Sequence, residues 1–280
     1  MRSPALLALT LAFLGISFGL GAEPPLPRVE ALFKRVLENA KAVATQGEAF
    51  TYLELATERE LDSKERVTKT TIKEYEVTRI NGRSFKRLMT ENGQPLPEAK
   101  ARKEEARQRK ALEEILAPEG PAAPAKGNEI SLTVEDLLAM LEVTDPRWET
   151  FQGHRLVALD FAPRKDAKPK GLGQRLASKL QGKLLVDDEH AQVVKAEAKV
   201  LDSCRVGGGL LGSLFPPTRF TFEQQMVRPG LWMPSGGHFV IHARVVVVPV
   251  RKELEFHCRD FRQFEVGQPV LEAQKAAVAN

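Results

Sequence analysis

Two groups of side chains in this chain have the types that bind metals or move protons. His238 and His242 sit four residues apart, where Phe239, Ile241, Ala243 and Val245 alternate as a strand does. At about 3.3 Å per residue the two histidines stand roughly 13 Å apart. That is too far for two ligands of one zinc ion, each about 2.0–2.1 Å from the metal, so they read as polar-face residues. Asp187, Asp188, Glu189 and His190 form a denser cluster. They fall at a hairpin tip, and a calcium loop needs a longer ligand series; the reading is a solvated turn.

Hydrolytic and phosphate chemistry find no better footing. Ser213 and Ser235 lie beside glycines, but neither makes the GxSxG elbow of a nucleophilic serine. Asp160 and His154 share one strand face without a third converging group. VGGGLLGSLFPP, residues 206–217, is glycine-rich but lacks the Lys-Ser/Thr and helix start of a phosphate loop. No catalytic residue, metal site or cofactor is expected.

The cysteines number two, Cys204 and Cys258. Each follows the apolar parity of its strand, so the two could meet on one buried face. An even count in an exported chain invites a disulfide; the alternative is two buried thiols acting as small hydrophobes. Pairing needs Cα atoms within roughly 7 Å. No CxxC is present, which argues against a redox role.

The export reading comes from residues 1–22. Arg2 precedes an uncharged run, ALLALTLAFLGISFGL at 5–20, and Gly19, Gly21 and Ala22 precede Glu23. This is the layout of a cleaved secretory signal peptide, and the run is short for a membrane span of about 20 residues. The expected location is periplasmic. ATP, NADPH and reducing thiols are scarce there, which removes most cytoplasmic enzyme classes. The formal charge is +4 and the pI about 9.0, but basic and acidic residues are interspersed. That pattern lacks the basic stripe of a nucleic-acid binder and leaves a mild bias toward anionic membrane surfaces.

The elements that must position any site are mostly strands. Val29, Leu32, Phe33, Val36, Leu37, Ala40 and Val43 predict a first helix over 28–46. Residues 49–61 and 67–80 alternate as an antiparallel hairpin with a wet face, and Asn81-Gly82 marks a further turn. Residues 97–127 change character; they read as a charged, solvated helical insertion that leaves the sheet and ends in a Pro/Ala/Gly linker. An amphipathic helix over 133–142 follows, with Val134, Leu137, Leu138 and Leu141 as its apolar face. From Trp148 on, strands return, interrupted by a short helix around Leu172, Leu176 and Leu180. Nine or ten strands joined by short turns imply an antiparallel sheet in an α+β fold, which must cover its apolar face with helices or curl around a cavity. Residues 23–267 read as one domain, and 268–280 as a flexible tail.

The second half carries a resemblance. LDF-P, the GKLLVDDEHAQVVKAEA hairpin, F-F-Q, PGLWMPSGG and a terminal E-F-RDFRQF occur in that order. This is similar to the LolA/LolB lipoprotein-carrier superfamily, which includes the RseB-type regulators; the likeness is clearest over 153–265. It implies a strongly curved, unclosed antiparallel barrel with helices on its concave face and a cavity for acyl chains or lipidated proteins. Phe161, Phe220, Phe222, Trp232 and Phe239 are the positions here that would line it. Trp232 and Met233 follow Pro229-Gly230, where such residues are more often a packed strand start than a ligand gate. Leu210, Leu211, Leu214 and Phe215 sit where polar residues are the rule. They form either an apolar tip that meets a membrane or client, as in the family's acceptor protein, or a loop folded back on the core. The expected function is non-catalytic binding of a lipid or lipoprotein acyl chain in the bacterial cell envelope. The rival is an envelope-stress or regulatory module that binds a protein partner.

Overall fold

The computed structural model describes residues 24–80, 83–116, 134–206 and 212–263. The expected leader, the Asn81-Gly82 turn, the linker at 117–133, Leu210, Leu211 and the tail lie outside the described residues. Helix α1 (Val29–Gly47) comes first. It buries Leu32, Phe33 and Val36, one stripe at three- and four-residue steps. Strands β1 (Phe50–Leu61), β2 (Val67–Ile80) and β3 (Arg83–Glu91) follow as hairpins, then the two-residue β4 (Gln94–Pro95). Helix α2 (Glu98–Leu116) and the seven-residue α3 (Val134–Met140) precede β5 (Leu141–Phe151) and β6 (His154–Pro163). After α4 (Leu172–Ala177) come β7 (Leu180–Asp187), β8 (Gln192–Val200), and the short β9 (Cys204–Val206) and β10 (Gly212–Leu214). Long strands β11 (Arg219–Arg228), β12 (Leu231–Val245) and β13 (Val248–Gln263) complete the described chain.

All the pairings are antiparallel, in the order β4-β3-β2-β1-β13-β12-β11-β8-β7-β6-β5, with β9 and β10 as a side ribbon on β12. The first long strand pairs with the last, which ties the two halves together mid-sheet. The ends β4 and β5 do not meet, so the sheet is curved and unclosed, in an α+β fold.

Residues directly opposite across a ladder share a face. Following the register gives one row of Phe161, Gly182, Ala198, Phe220, Phe239 and Leu254. Helices α1, α3 and α4 cover this face, packing Leu32, Phe33, Leu137, Leu138 and Leu176 onto it. The opposite face is stitched by charge pairs, among them Lys183–Glu149 (2.8 Å), Lys195–Glu223 (3.0 Å) and His238–Glu253 (2.8 Å). Exposed pairs of this kind stabilise little individually, but they keep that face wet.

Helix α2 corrects one expectation. It does not leave the sheet but lies along the edge of β3. Leu112 and Ile115 pack against Ile80 and Phe85. The Leu88 N–H donates to Glu104 Oε1 (3.1 Å), and Arg107 donates to the Lys86 carbonyl (2.7 Å). Residues 86 and 88 point their backbone groups the same way on a strand, here outward from the sheet. The helix therefore occupies backbone groups that would otherwise template another strand.

Candidate functional site

The helical face carries the candidate site, because small residues there alternate with phenylalanines. Between Phe161 and Phe220 the row drops to Gly182 and Ala198, and one rung along Phe222 stands opposite Ala196. A Cβ on Gly182 would overlap the Glu197 carbonyl and reach 2.8 Å from Phe161 Cζ, so the Phe161 ring lies across bare backbone. Phe33 of α1 and Leu137 and Leu138 of α3 roof this stretch. They enclose a cavity of about 100 Å³ above Ala196 and Ala198, lined also by Phe161, Phe220 and Leu184. Its lining is wholly apolar.

Past the cavity the rings continue across β11, β12 and β13. Phe220 and Phe239 stack with centroids 6.1 Å apart, and Phe239 and Phe256 at 6.2 Å, with interplanar angles of 18° and 22°. All three are half-buried, as is Phe222. Phe256 was visible in the sequence only as an apolar-parity neighbour of Cys258; its place in the stack needs the β12–β13 register, Gly237 opposite Phe256. A Cβ on Gly237 would come 2.5 Å from that ring. Beyond the stack the face turns polar at Glu58, ion-paired with Lys252 and 4.0 Å from Lys73. The hydrogen bond from Lys252 holds the Glu58 carboxyl below its usual range, against the raising effect of burial.

Four of the five expected cavity residues thus share this face, and Trp232 does not. Trp232 is fully buried on the other side, against Leu156, Ala158, Leu185 and Val194. Its Nε1–H donates to Asp187 Oδ2 (2.7 Å), and the His154 ring meets it edge-on at 5.0 Å. It is a packed strand start, not a cavity wall.

The acidic turn also proves to be more than a solvated tip. Asp187 is buried and takes three hydrogen-bonding contacts, from Trp232, from His190 Nδ1 (2.8 Å) and from the His190 N–H (3.1 Å). Burial pushes the Asp187 carboxyl up, but those contacts outweigh it and hold the group below the usual range. Next to it Arg35 pairs with Asp188 (2.8 Å) and reaches its carbonyl, while Asn39 donates to the His190 carbonyl (2.8 Å). The turn clamps α1 to the sheet.

Three further expectations can be placed. Cys204 and Cys258 are both free and buried, which corrects the disulfide reading. Cys204 reaches β12 through Leu214 at the level of Ala243, whereas His257, beside Cys258, is level with Gly236. Seven residues of strand separate those levels, about 23 Å. Leu214 is half-buried and packs on the Leu141–Phe161 cluster. Phe215 is half-buried, with the Arg244 guanidinium 5.4 Å from its ring centre. His238 faces Glu253, and His242 Nε2 lies 3.8 Å from Glu65. Among the described residues no three His, Cys, Asp or Glu side chains converge as a metal site. No helix among them is long and apolar enough to cross a membrane.

No family model and no curated protein matches the sequence. Among solved structures the chain is similar to a domain assigned to an outer membrane lipoprotein-sorting protein from Vibrio parahaemolyticus. The identity is 14% and the TM-score 0.38, over 90% of this chain and 100% of that one. It is also similar to a LolA superfamily protein from Nitrosomonas europaea (10% identity, TM-score 0.35, 85% and 96% of the two chains). A third is MucB, solved in complex with MucA(peri) (7% identity, TM-score 0.25, 85% and 100%). The fold class stands on the strand order.

Proposed function

We propose that this chain is an exported, non-catalytic binding protein that holds the acyl chain of a lipid or lipoprotein in the bacterial cell envelope. The observation that carries the reading is the apolar hollow over Ala196 and Ala198, continuous with the half-buried Phe220–Phe239–Phe256 stack. Half-buried aromatic rings on a helix-covered face are apolar surface still available for burial, at about 25 cal/mol per Å². The superfamily resemblance in residues 153–265 points the same way.

The hollow as it stands is too small. About 100 Å³ compares with roughly 300–1,000 Å³ for typical ligand pockets. Ligand entry therefore requires the roof to move, and α3 is the element to do it. It is one short helix of seven residues, and it places Leu137 and Leu138 directly over the hollow. The binding energy of the chain is then offset by the cost of displacing α3, so modest changes in α3 packing set retention against release.

The test is titration of the purified protein with an environment-sensitive fluorescent fatty acid. Phe220→Asp places a charge in the hollow, and its neighbour Thr221→Asp places the same charge on the opposite, polar face. Loss of binding in the first variant alone supports the reading. Equal binding by wild type and both variants contradicts it and turns attention to a protein partner.

A further inference from the structure

The long β12–β13 hairpin ends in four consecutive valines. Val245, Val246, Val247 and Val248 are 52%, 58%, 79% and 59% exposed. Such residues are ordinarily scattered singly on a surface, and a contiguous exposed set marks an interaction site. The turn residues make this sharper. Val246 has φ +57°, the left-handed region that a β-branched side chain rarely adopts and that Asn, Asp or Gly fill in two-residue hairpin loops. Valine at this position costs folding stability, so its presence calls for another role.

The described ladders of the neighbouring strands stop short of the tip. On one side β1 pairs with β13 no further than Glu60 opposite Lys252, and on the other β10 pairs with β12 no further than Ser213 opposite Arg244. Among the described residues no neighbouring strand forms a ladder pair with the last rung, Val245 opposite Val248.

The rungs behind the tip carry arginines. Arg244 lies on the rung just behind the valines and Arg251 three rungs back, opposite His242, and Arg205 faces Ser213 beside Arg244. The neighbouring β1–β2 turn carries exposed Lys64, Glu65 and Arg66 beside Asp62. Asp62 pairs with Arg66 at 2.7 Å and Glu65 lies 3.8 Å from His242, so this turn is balanced and the excess positive charge near the tip is that of the three arginines.

We propose that the Val245–Val248 tip is a membrane-contact site that inserts into the interface of an anionic phospholipid bilayer, with Arg205, Arg244 and Arg251 against the headgroup phosphates. Apolar side chains ringed by arginines match that surface on both counts, burial and charge. The site differs from the 206–217 loop that the sequence suggested, where the described Leu214 packs inward. It stands independently of the acyl-chain reading.

The experiment is co-sedimentation with vesicles of equal parts phosphatidylglycerol and phosphatidylcholine, against vesicles of phosphatidylcholine alone. The double variant Val246→Asn, Val247→Gly installs a favoured hairpin turn. It is expected to raise the melting temperature while lowering affinity for the anionic vesicles at least about tenfold, since two inserted valines are lost. A stability gain with a binding loss separates a membrane role from a structural one. Val247→Trp supplies a local readout, with blue-shifted emission expected only when anionic vesicles are added. Unchanged affinity in the double variant, equal binding to both vesicle types, or unshifted Val247→Trp emission overturns the proposal. So does a tip required for capture of a protein but not of vesicles.

Discussion

Asp187 joins three parts of the molecule through one buried carboxylate. It bonds Trp232 on β12 and His190 in its own turn, and that turn holds Arg35 and Asn39 of α1. Trp232→Phe keeps an aromatic ring but removes the indole Nε1–H donor and part of the buried volume. It is expected to destabilise the fold by about 1–3 kcal/mol, the cost of leaving a buried acceptor short, as read by denaturant unfolding. The pH dependence has a definite sign. Because the folded carboxyl titrates below its unfolded value of about 3.9, its stabilisation is present above that value and is lost as pH falls through the folded pKa. Trp232→Phe brings the folded pKa back toward the unfolded one, so the difference in stability between wild type and variant shrinks in acid. A difference that is unchanged between neutral and acid pH contradicts this account.

The thiols give a second residue-scale prediction. Burial, with the Glu54 charge nearby, pushes Cys258 up to about 12, and burial raises Cys204 as well. Neither should react with a thiol reagent at pH 8 in the folded protein, and both should react in guanidinium. A mass two daltons low, with no thiol released on unfolding, restores the disulfide.

At this scale the sequence was legible where strands are regular. Alternation put Phe161, Phe220, Phe222 and Phe239 on the apolar faces of their own strands and the resemblance put them on one wall; the strand register gives them one face. Trp232 was misplaced although it lies on the same strand as Phe239. Seven residues apart, an odd spacing puts them on opposite faces. Pro234, Gly236 and Gly237 made the segment look like a turn, whereas β12 runs unbroken from Leu231 to Val245. The clamp at Asp187 was invisible because its partners lie 45 and about 150 positions away.

Between elements the most exposed liability is the sheet edge. β3 would present an open ladder, and α2 closes it through Glu104 and Arg107. The double variant Glu104→Ala, Arg107→Ala is expected to associate into larger species on light scattering, because it frees the Leu88 N–H and the Lys86 carbonyl. Arg102→Ala, which loses only an exposed pair with Glu98, should not. Association of neither variant argues that the Leu112 and Ile115 packing alone holds the edge. The charge pattern of 97–127 gave the helix but not its seat, since side chains that bond a neighbour's backbone leave no periodicity in sequence. Gly182→Ala tests the hollow's floor. Its Cβ cannot coexist with the Glu197 carbonyl, and a loss of about 3 kcal/mol is expected.

For the whole molecule, the architecture is a sheet whose first and last long strands pair at its middle and whose two outer ends stay apart. One face is charged and cross-linked by ion pairs; the other is roofed by short helices over small residues and half-buried rings. The roofed face offers apolar surface beneath helices α1, α3 and α4. The overall class could be read from strand alternation, and the phenylalanine row from alternation together with the resemblance. The size of the hollow could not, because it depends on how Phe33, Leu137 and Leu138 descend onto Ala196 and Ala198.

The central claim is that the roofed face holds an acyl chain. Native mass spectrometry of the protein purified without detergent, followed by organic extraction, tests it most directly. The account predicts a stoichiometric co-purifying lipid that is lost in Phe220→Asp and kept in Thr221→Asp. A clean ligand-free mass that takes up no added fatty acid, in wild type and variants alike, contradicts it.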